Sequence, residues 1–218
     1  MKKTIVIDGL SHCGKSTLSK MISSKLNIKY IDSGAIYRFI TWYIINSPVD
    51  VDLNDLLNQI SKIMKIEKCG SVIYNDQIMD EILRCDAVNQ VVAQYAQNKV
   101  IREYVNAYLL DCAKRESIVM DGRDLGTIVF PNADIKIFLT ASVDTRVKAW
   151  ERGKLRDVGY IDLKERELFV KNVHERDYAD LHREIAPLKC ASDATTFDIG
   201  IYSRTEILDF IIKKYYGV

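Results

Sequence analysis

The chain has few residues that interrupt or cross-link a fold, and it has no long apolar run. It contains three prolines in 218 residues, and its five cysteines are scattered and form no C-x-x-C pair. That pattern argues against a disulfide framework or a zinc site and favours a reducing compartment. The longest apolar stretch, residues 39–45, is too short to span a bilayer, and the apolar run at residues 4–7 is too short for a signal peptide. We therefore expect a cytoplasmic protein with no membrane partner.

Charge of one sign is also lacking, since 31 lysines and arginines nearly balance 30 aspartates and glutamates. A net charge of +1 gives no overall attraction to nucleic acid, so we expect no nucleic-acid partner. Hydrophobic residues make up 48% of the chain, which at this length is enough for one domain, residues 1–218, with a substantial core. Any phosphate that the protein binds must be met by a local concentration of positive charge.

Residues 9–17 fit the phosphate-loop pattern G-x-x-x-x-G-K-[ST]. A β-branched run at residues 4–7 precedes the loop, and apolar residues at helical spacing follow it, which is the context that this motif needs. Lys15 is expected to reach the β- and γ-phosphates, and the Ser16 hydroxyl to ligate Mg²⁺. Backbone N–H groups and the helix N-terminus supply an anion cradle. We predict that the loop binds a nucleoside triphosphate through Gly9, Ser11, His12, Cys13, Gly14, Lys15, Ser16 and Thr17.

Hydrophobic periodicity predicts strands that alternate with helices along most of the chain. The predicted strands cover residues 4–7, 29–31, 117–120, 135–139 and 196–199, and the predicted helices cover residues 15–26, 34–46, 54–65, 86–97, 99–114, 142–151 and 204–215. This order implies an α/β fold with a parallel sheet covered on both faces. Residues 71–79 are typical of a β-hairpin with Asn75 and Asp76 in its turn, so we interpret this block as an insertion into the main sheet.

A cluster of polar residues follows the predicted strand 29–31, at the edge where a parallel sheet binds its ligands. Asp32 or Ser33 can cap the helix that begins there. Arg38 lies about one turn into that helix, where its guanidinium could hold a phosphate through two hydrogen bonds. The alternative is a well-capped helix with an exposed arginine.

A second cluster follows the predicted strand 117–120 and has the sequence Asp121-Gly122-Arg123-Asp124. A carboxylate at the end of a buried strand is typical of the residue that organises Mg²⁺ or its waters in phosphate-loop proteins, which makes Asp121 a candidate. Arg123 and Asp124 share the next turn and could supply a donor to a phosphate and an acceptor for a base or a sugar. A structural salt bridge is the alternative.

A third cluster lies in a basic segment, residues 146–183, in which acidic residues interleave. For most of this segment the pattern is typical of a solvent-exposed helix with i, i+4 ion pairs. If the segment is helical, Arg176, Asp180 and Arg183 fall on one face. There they could hold a sugar phosphate, or they could form an ion ladder that faces solvent.

The same basic segment has features of a mobile lid over phosphates. Gly153 lies among its basic residues at 152–156 and Gly159 follows them, and glycine hinges beside cations suit such a lid. Phosphoryl transfer depends on positioning and charge neutralisation more than on covalent chemistry. A kinase whose acceptor is itself a phosphate must bring two polyanions together, which demands more arginine than transfer to a hydroxyl. The arginines that fit this need are Arg38, Arg123, Arg176 and Arg183.

Together these segments resemble the bacterial-type cytidylate kinases, which are P-loop nucleoside monophosphate kinases. The matching blocks are I-D-G-x-x-x-x-G-K-S-T at 7–17, D-S-G-A-I-Y-R at 32–38, D-G-R-D-L-G-T-I-V-F-P-N-A at 121–133, K-I-F-L-T-A-S at 136–142, R-D-x-x-D-x-x-R at 176–183 and A-P-L at 186–188. The resemblance implies a P-loop NTPase-type three-layer α/β/α fold with a parallel core sheet. It also implies a monophosphate-binding insertion at about residues 50–98 with a small antiparallel sheet, and a helical lid at about residues 151–178.

The resemblance further implies a monomeric enzyme that uses ATP and Mg²⁺ to phosphorylate CMP and dCMP. The residues implied to bind the acceptor are Arg38 and Arg123 for its phosphate, Arg102 and Asp124 for cytosine, and Arg176 and Asp180 for ribose, with Ser33 in the pocket and Arg183 near the phosphates. Those implied to act on the transferred group are Lys15 and the lid arginines Arg152 and Arg156, while Ser16 and Asp121 would place Mg²⁺.

Two departures from the family's pattern leave alternatives open. Ala93, nine residues before Arg102, stands where the family has a serine that contacts the base, and one such hydrogen bond is worth about 0.5–1.5 kcal/mol. A UMP/CMP kinase, or one of broader range, is therefore the first alternative. His12 and Cys13 are bulkier than the family's usual loop residues, so we expect both side chains to point away from the phosphates. A nucleotide-binding regulatory module with weak transfer activity is the second alternative.

Overall fold

The computed structural model describes residues 2–48 and 51–218. The strands in this part of the chain are β1 (Thr4–Gly9), β2 (Lys29–Asp32), β3 (Lys65–Ile66), β4 (Val72–Tyr74), β5 (Gln77–Ile78), β6 (Ile118–Asp121), β7 (Ile135–Thr140) and β8 (Thr195–Asp198). The α-helices are α1 (Lys15–Leu26), α2 (Ser33–Ile45), α3 (Leu53–Ile63), α4 (Asp86–Tyr95), α5 (Lys99–Arg115), α6 (Val143–Asp157), α7 (Leu163–His182) and α8 (Arg204–Tyr216). A short 3₁₀ turn, Ile82–Arg84, and a wide π turn, Leu125–Val129, lie between them.

Five strands form a parallel sheet in the order β2-β6-β1-β7-β8. β1 lies at its centre, and the apolar residues Ile5, Val6 and Ile7 are fully buried because helices cover both faces of the sheet. In register, Ile7 lies opposite Asp121 on β6 and Ile137 on β7. The predicted parallel sheet is confirmed, and each of its strands lies close to its predicted bounds.

Successive residues of each strand point to opposite faces of the sheet, so two cores form. On one face Val6, Ile31 and Met120 pack against apolar residues of α2 and α5. On the other face Ile5 and Val119 pack against apolar residues of α1 and α8. The predicted three-layer α/β/α architecture is therefore confirmed.

The strands β3, β4 and β5 form a separate antiparallel sheet, which confirms the predicted hairpin. Asn75 and Asp76 make its turn with φ values of 48° and 59°, the left-handed pair that a two-residue hairpin needs. The prediction of helix as far as Lys65 is wrong, because α3 ends at Ile63 and Lys65 lies in β3, where it pairs with Ile73 of β4. The predicted start of the insertion, near residue 50, lies outside the described residues.

The helix α6 runs to Asp157, which is beyond its predicted end. Gly153 therefore lies inside the helix and does not form a turn, whereas Gly159 has a φ of +83° and follows the helix end. A small apolar cluster joins α6 to α7 and contains Val147, Phe169 and Val173. Even α7, at 20 residues, is charged along its length, and none of the described helices has the length and apolar character that crossing a membrane requires.

Candidate functional site

A cavity of about 280 Å³ opens at the carboxyl ends of β1, β2 and β6. These strands are parallel, so their ends bring the phosphate loop, Asp32 and Asp121 to one edge of the sheet. Most of the predicted site residues line the cavity, namely Ser11, His12, Gly14, Lys15, Ser16, Ser33, Arg38, Asp121, Arg123, Asp124, Arg176, Asp180 and Arg183. Those that do not line it are Gly9, Cys13, Thr17, Arg102, Arg152 and Arg156.

The phosphate loop joins β1 to α1 in a conformation that its glycines allow. Gly9 has a φ of +144°, and a Cβ there would lie 2.0 Å from the carbonyl oxygen of Leu139, so only glycine fits. Gly14 has a φ of +75° and ends the loop where α1 begins at Lys15. The loop therefore leads into a helix N-terminus, whose first main-chain N–H groups have no carbonyl partner within the helix itself, and this is the geometry of an anion site.

The side chain of Lys15 folds back onto the phosphate loop that precedes it. Its Nζ donates hydrogen bonds to the carbonyl oxygens of Gly9 at 2.9 Å and Leu10 at 2.5 Å. Burial lowers the pKa of this ammonium group, and the nearby Arg123 lowers it further. A bound anion would counter both effects, so the position of Lys15 favours a phosphate ligand.

The two bulky loop residues differ in where their side chains pack. Cys13 is 1% exposed and lies in the core beneath the loop, so its side chain points away from the cavity. His12 borders the cavity, and its ring packs edge-on against Phe169 of α7 with the centroids 4.7 Å apart. Trp150 of α6 stacks on the same Phe169 at 4.8 Å. Partial burial and the nearby Lys15 lower the pKa of His12 to about 4, so its ring is neutral at pH 7.

Asp121 ends β6 and is 7% exposed. The Tyr30 hydroxyl donates to its Oδ1 at 2.6 Å, and the Ser33 hydroxyl donates to its carbonyl oxygen at 2.7 Å. The residue after it is glycine, and a Cβ there would lie 2.8 Å from Leu125 Cγ and 2.9 Å from Ser33 Oγ, so a larger residue would displace these side chains. Burial raises the pKa of Asp121, and the nearby Asp32 raises it further. A cation at the cavity wall would favour the ionised carboxylate.

Asp8 positions the site, although no prediction singled it out. It is buried and accepts hydrogen bonds from the main-chain N–H groups of Leu125 at 3.1 Å and Gly126 at 2.7 Å. Burial raises its pKa to about 6 despite these bonds. These contacts fix the start of the π turn that follows Arg123 and Asp124, so Asp8 helps to position these two cavity residues. The signal that could have found it is a carboxylate at the end of a fully buried strand.

The predicted cluster on α7 lies on the cavity wall and not in solvent. Arg123 Nε lies 2.6 Å from Asp180 Oδ2, and Arg176 Nε approaches the same oxygen at 3.7 Å. Burial opposes the ionisation of Asp180, but the two arginines outweigh burial and lower the pKa of its carboxyl group. The alternative of a solvent-facing ion ladder is wrong here, since Asp180 is 8% exposed.

Asp124 has an arginine on each of its carboxylate oxygens. Arg102 Nη2 contacts Oδ2, and Arg183 Nη2 lies 3.0 Å from Oδ1. Arg102 itself is held behind the cavity wall, where its Nη1 donates to the carbonyl oxygen of Ala96 at 3.2 Å and its guanidinium lies 5.9 Å from the centroid of the Tyr37 ring. The structure therefore brings together Arg102, Asp124 and Arg183, which lie far apart in the sequence.

Arg38 faces the cavity from α2, so the alternative of an exposed arginine is wrong. Its Nε is enclosed and has no hydrogen-bond partner among the described residues, and burial, with Arg176 nearby, lowers its pKa to about 10. Asp32 caps α2 by accepting from the N–H of Ala35 at 3.0 Å. Arg84, from the 3₁₀ turn, also lines the cavity and lies 3.7 Å from Asp32, but no motif surrounds it in the sequence.

Arg146 and Asp177 form a buried ion pair beside the phosphate loop. Arg146 is 3% exposed, and its Nη1 lies 2.5 Å from Asp177 Oδ2. The same Nη1 donates to the carbonyl oxygen of Ser11 at 3.0 Å, and Asp177 Oδ1 accepts from the Ser11 N–H at 2.9 Å. The interpretation of this segment as a solvated helix is wrong at these two positions, because α6 and α7 pack on the loop. The engaged N–H of Ser11 leaves the anion cradle to residues 12–17.

The structure does not bring the two predicted lid arginines to the cavity. Arg152 and Arg156 are both exposed on α6, and Arg156 Nε lies 2.9 Å from Asp157 Oδ1. Their role in catalysis stays a prediction.

Comparisons with known proteins show which family the sequence resembles. The sequence model of the family described as cytidylate kinase matches residues 5–216. The cytidylate kinase of Bacillus cereus is 35% identical over 220 residues, which cover 99% of this chain and 96% of that protein. The bifunctional pantoate ligase/cytidylate kinase of Prochlorococcus marinus is 36% identical over 222 residues, which cover 98% of this chain. The chain spans 43% of the length of that bifunctional relative.

Among solved structures, an uncharacterized protein from Eubacterium ventriosum is similar over 100% of both chains, with a TM-score of 0.53 and 16% sequence identity. At that identity the likeness concerns the fold alone. The family match, by contrast, covers nearly the whole chain, and the Bacillus cereus relative is matched over nearly its full length. The chain belongs to the cytidylate kinase family.

Proposed function

We propose that the protein transfers the γ-phosphoryl group of ATP to CMP and dCMP, which yields CDP and dCDP. The observation that carries this proposal is a single cavity in which a phosphate loop faces four arginines: Arg38, Arg123, Arg176 and Arg183. A phosphate loop serves any nucleoside triphosphate, whereas an acceptor that is itself a phosphate needs this second set of cations. Membership of the cytidylate kinase family supports CMP as that acceptor. We also propose that the enzyme acts as a cytoplasmic monomer on small nucleotides.

The donor is proposed to bind at the phosphate loop with Mg²⁺. The phosphates of ATP would take the main-chain N–H groups of residues 12–17, and Lys15 would turn from its loop carbonyls to the β- and γ-phosphates. Ser16 and Asp121 both line the cavity and offer a hydroxyl and a carboxylate. This set fits Mg²⁺, which uses few protein oxygens and keeps its waters and phosphate oxygens. When bound, the ion would neutralise charge on the phosphates.

The acceptor is proposed to bind across the cavity from the loop. Its phosphate would pair with Arg38, whose enclosed Nε has no partner among the described residues, and with Arg123. The base would be read by the Arg102–Asp124 pair. The remaining contacts that we propose are Arg176 and Asp180 to the ribose, Ser33 in the acceptor pocket and Arg183 near the phosphates.

Transfer is proposed to be direct and in line. An oxygen of the acceptor's phosphate bonds to the γ-phosphorus while the bond from that phosphorus to the β,γ-bridging oxygen breaks, and ADP leaves. Lys15, Arg152 and Arg156 would stabilise the charge of the migrating group. Since Arg156 pairs with Asp157 on the surface, its role requires α6 and α7 to close towards the cavity. Closure would also exclude water, which competes as an acceptor.

A broader acceptor range that includes UMP is the second candidate, and Ala93 favours it. Ala93 lines the cavity but has no polar side-chain atom to offer a base. The loss of one neutral hydrogen bond, about 0.5–1.5 kcal/mol, reduces selectivity without preventing binding.

A coupled assay of ADP release over CMP, dCMP, UMP, AMP and GMP tests the proposal. We expect CMP and dCMP to give the highest kcat/KM, and faster turnover of another monophosphate would displace CMP as the acceptor. Lys15→Ala should lose nearly all turnover and still unfold cooperatively, while the matched control Lys25→Ala, exposed near the other end of α1, keeps full activity. Near-normal activity of the Lys15 variant would contradict its assigned role. ATP binding by the wild type without any transfer would favour a regulatory module.

A further inference from the structure

The cavity has two chemically different ends. The cationic end is formed by Lys15, Arg38, Arg123 and Arg176. The other end is formed by α4 and the turn after it, and the residues that line it there are Val92, Ala93, Ala96 and Gln97. A nucleotide likewise has two different ends, because its phosphates are charged and its base is flat and uncharged. The acceptor's base is therefore expected to lie against α4.

Gln97 has the only polar side chain among the four residues that line the cavity at the α4 end. It is half-buried and follows the last turn of α4, four residues after Ala93. Its Nε2 donates to the carbonyl oxygen of Ala93 at 3.2 Å, so the carboxamide lies directly beside Ala93. Its Oε1 accepts no hydrogen bond from the described residues. The Gln97 carboxamide thus places a rotatable polar group beside Ala93, whose own side chain is apolar.

The other polar groups near this end are already committed to each other. Arg102 holds the carbonyl oxygen of Ala96 and one oxygen of Asp124, and Arg183 holds the other oxygen of Asp124. These groups are buried and fixed, so they present the same pattern to every base. Gln97 makes one hydrogen bond to its own helix and can turn about its last side-chain bonds.

A carboxamide carries both a donor and an acceptor, and a half-turn exchanges them. A pyrimidine with a 4-amino group presents a donor at that position, and one with a 4-oxo group presents an acceptor. We propose that Gln97 contacts the base of the acceptor nucleotide and sets how strictly the cavity distinguishes a 4-amino from a 4-oxo pyrimidine. This inference rests on the proposed function, because it concerns the same acceptor site.

Two substitutions at Gln97 test the proposal through the ratio of kcat/KM for CMP and UMP. Gln97→Ala removes the contact, and we expect kcat/KM to fall about 2- to 10-fold for both nucleotides, with the KM for ATP unchanged. Gln97→Glu keeps the shape but leaves acceptors only, so it should keep CMP within about threefold and lower UMP at least about tenfold. The CMP/UMP ratio should therefore rise in the glutamate variant alone.

The matched control is Gln94→Ala, an exposed residue on α4 that does not line the cavity, and it should leave the ratio and both rates unchanged. Melting curves and the KM for ATP show whether each variant is folded. If the alanine variant does not fold, the isosteric glutamate variant still decides the question.

The possible failures are distinguishable. A wild-type protein that phosphorylates neither CMP nor UMP would overturn the proposed function. A wild-type protein that is active, with a CMP/UMP ratio that is the same in Gln97→Glu, would overturn the role of Gln97 and leave the proposed function standing.

Discussion

Two aspartates of α7, Asp177 and Asp180, are three residues apart and equally buried, at 8% exposure each, but their partners lie in different parts of the molecule. Asp177 pairs with Arg146 and accepts from the N–H of Ser11, so it holds the phosphate loop and does not line the cavity. Asp180 pairs with Arg123 and Arg176 on the cavity wall. One helix thus connects the phosphate loop to the arginines of the cavity wall.

The difference lies in the number of cations and in access to the cavity. Asp177 has one enclosed cation, and removing either partner leaves a buried charge without compensation. Asp180 has two cations that face the cavity, so an arginine can exchange its partner for a phosphate without leaving the carboxylate alone. We infer that the first pair positions the loop, whereas the second is part of the substrate site.

The largest expected effect is on folding, in Asp177→Ala. This change leaves Arg146 buried without a counter-ion and the Ser11 N–H without an acceptor, so the free energy of unfolding should fall by about 3–5 kcal/mol. Urea denaturation measures the loss. Asp180→Ala should lose less than half as much, because Arg123 lines the cavity and is not enclosed as Arg146 is. Equal losses in the two variants would remove the distinction between the pairs.

The next largest effect is on turnover, in Arg123→Ala. Removing one preorganised donor to a reacting charge typically costs about 10²–10³ in kcat, and we expect a loss of that size. Stability should change little, since Asp180 keeps Arg176 as its partner. Single-turnover kinetics and urea denaturation on the same preparation test both parts. A variant that is strongly destabilised but turns over normally when folded would place Arg123 with the structural pair.

A smaller effect, on the KM for ATP, is expected when both members of the buried Arg146–Asp177 pair are replaced by apolar residues. In Arg146→Met/Asp177→Leu no charge is left buried, so the double variant should recover most of the stability that Asp177→Ala loses. The peptide of Ser11 would still lack both of its side-chain partners. We therefore expect a several-fold higher KM for ATP and an unchanged KM for CMP. An unchanged KM for ATP would mean that the pair serves folding alone.

These two pairs also show how far sequence patterns reach. The phosphate loop, Asp121 and the alternation of strands with helices could be predicted because each depends on local signals, namely glycine spacing, a strand-end carboxylate and hydrophobic periodicity. The Arg123–Asp180 contact was not predicted, because the resemblance to a family placed both residues in one site but did not pair them with each other. No local signal joins residues that are 57 apart in the chain.

Arg146 and Asp177 could not be predicted for the same reason and for a second one. Their contacts span 31 and 166 residues, and about half of the residues of α6 and α7 are charged, a composition typical of exposed helices. Burial here depends on where the helix packs, which its own composition does not encode. Arg84 was missed because its position next to the cavity depends on the insertion's fold. The two-residue strand β3 was missed because it is too short to have a period.

The smallest expected effect is that of Ser11→Ala, and it separates a contact of the main chain from one of the side chain. The Ser11 Oγ lies 3.4 Å from Arg146 Nη1, which is a long hydrogen bond, whereas the main-chain bonds of Ser11 to Arg146 and Asp177 measure 3.0 Å and 2.9 Å. Alanine keeps both main-chain bonds. The free energy of unfolding should therefore fall by less than about 1 kcal/mol, and the KM for ATP should stay within about twofold of the wild type.

Urea denaturation and ATP titration of this variant, beside the exposed control Ser24→Ala, complete the comparison. Asp177→Ala and Ser11→Ala change residues on the two sides of the same contact, but only Asp177→Ala removes the acceptor of the Ser11 N–H. If Ser11→Ala lowered the free energy of unfolding as much as Asp177→Ala, the Ser11 hydroxyl would be essential to the contact, and any residue without a hydroxyl at this position would destabilise the loop. If it is nearly silent, the ion pair holds the main chain itself, and the identity of the side chain at position 11 is free to vary while the loop stays in place.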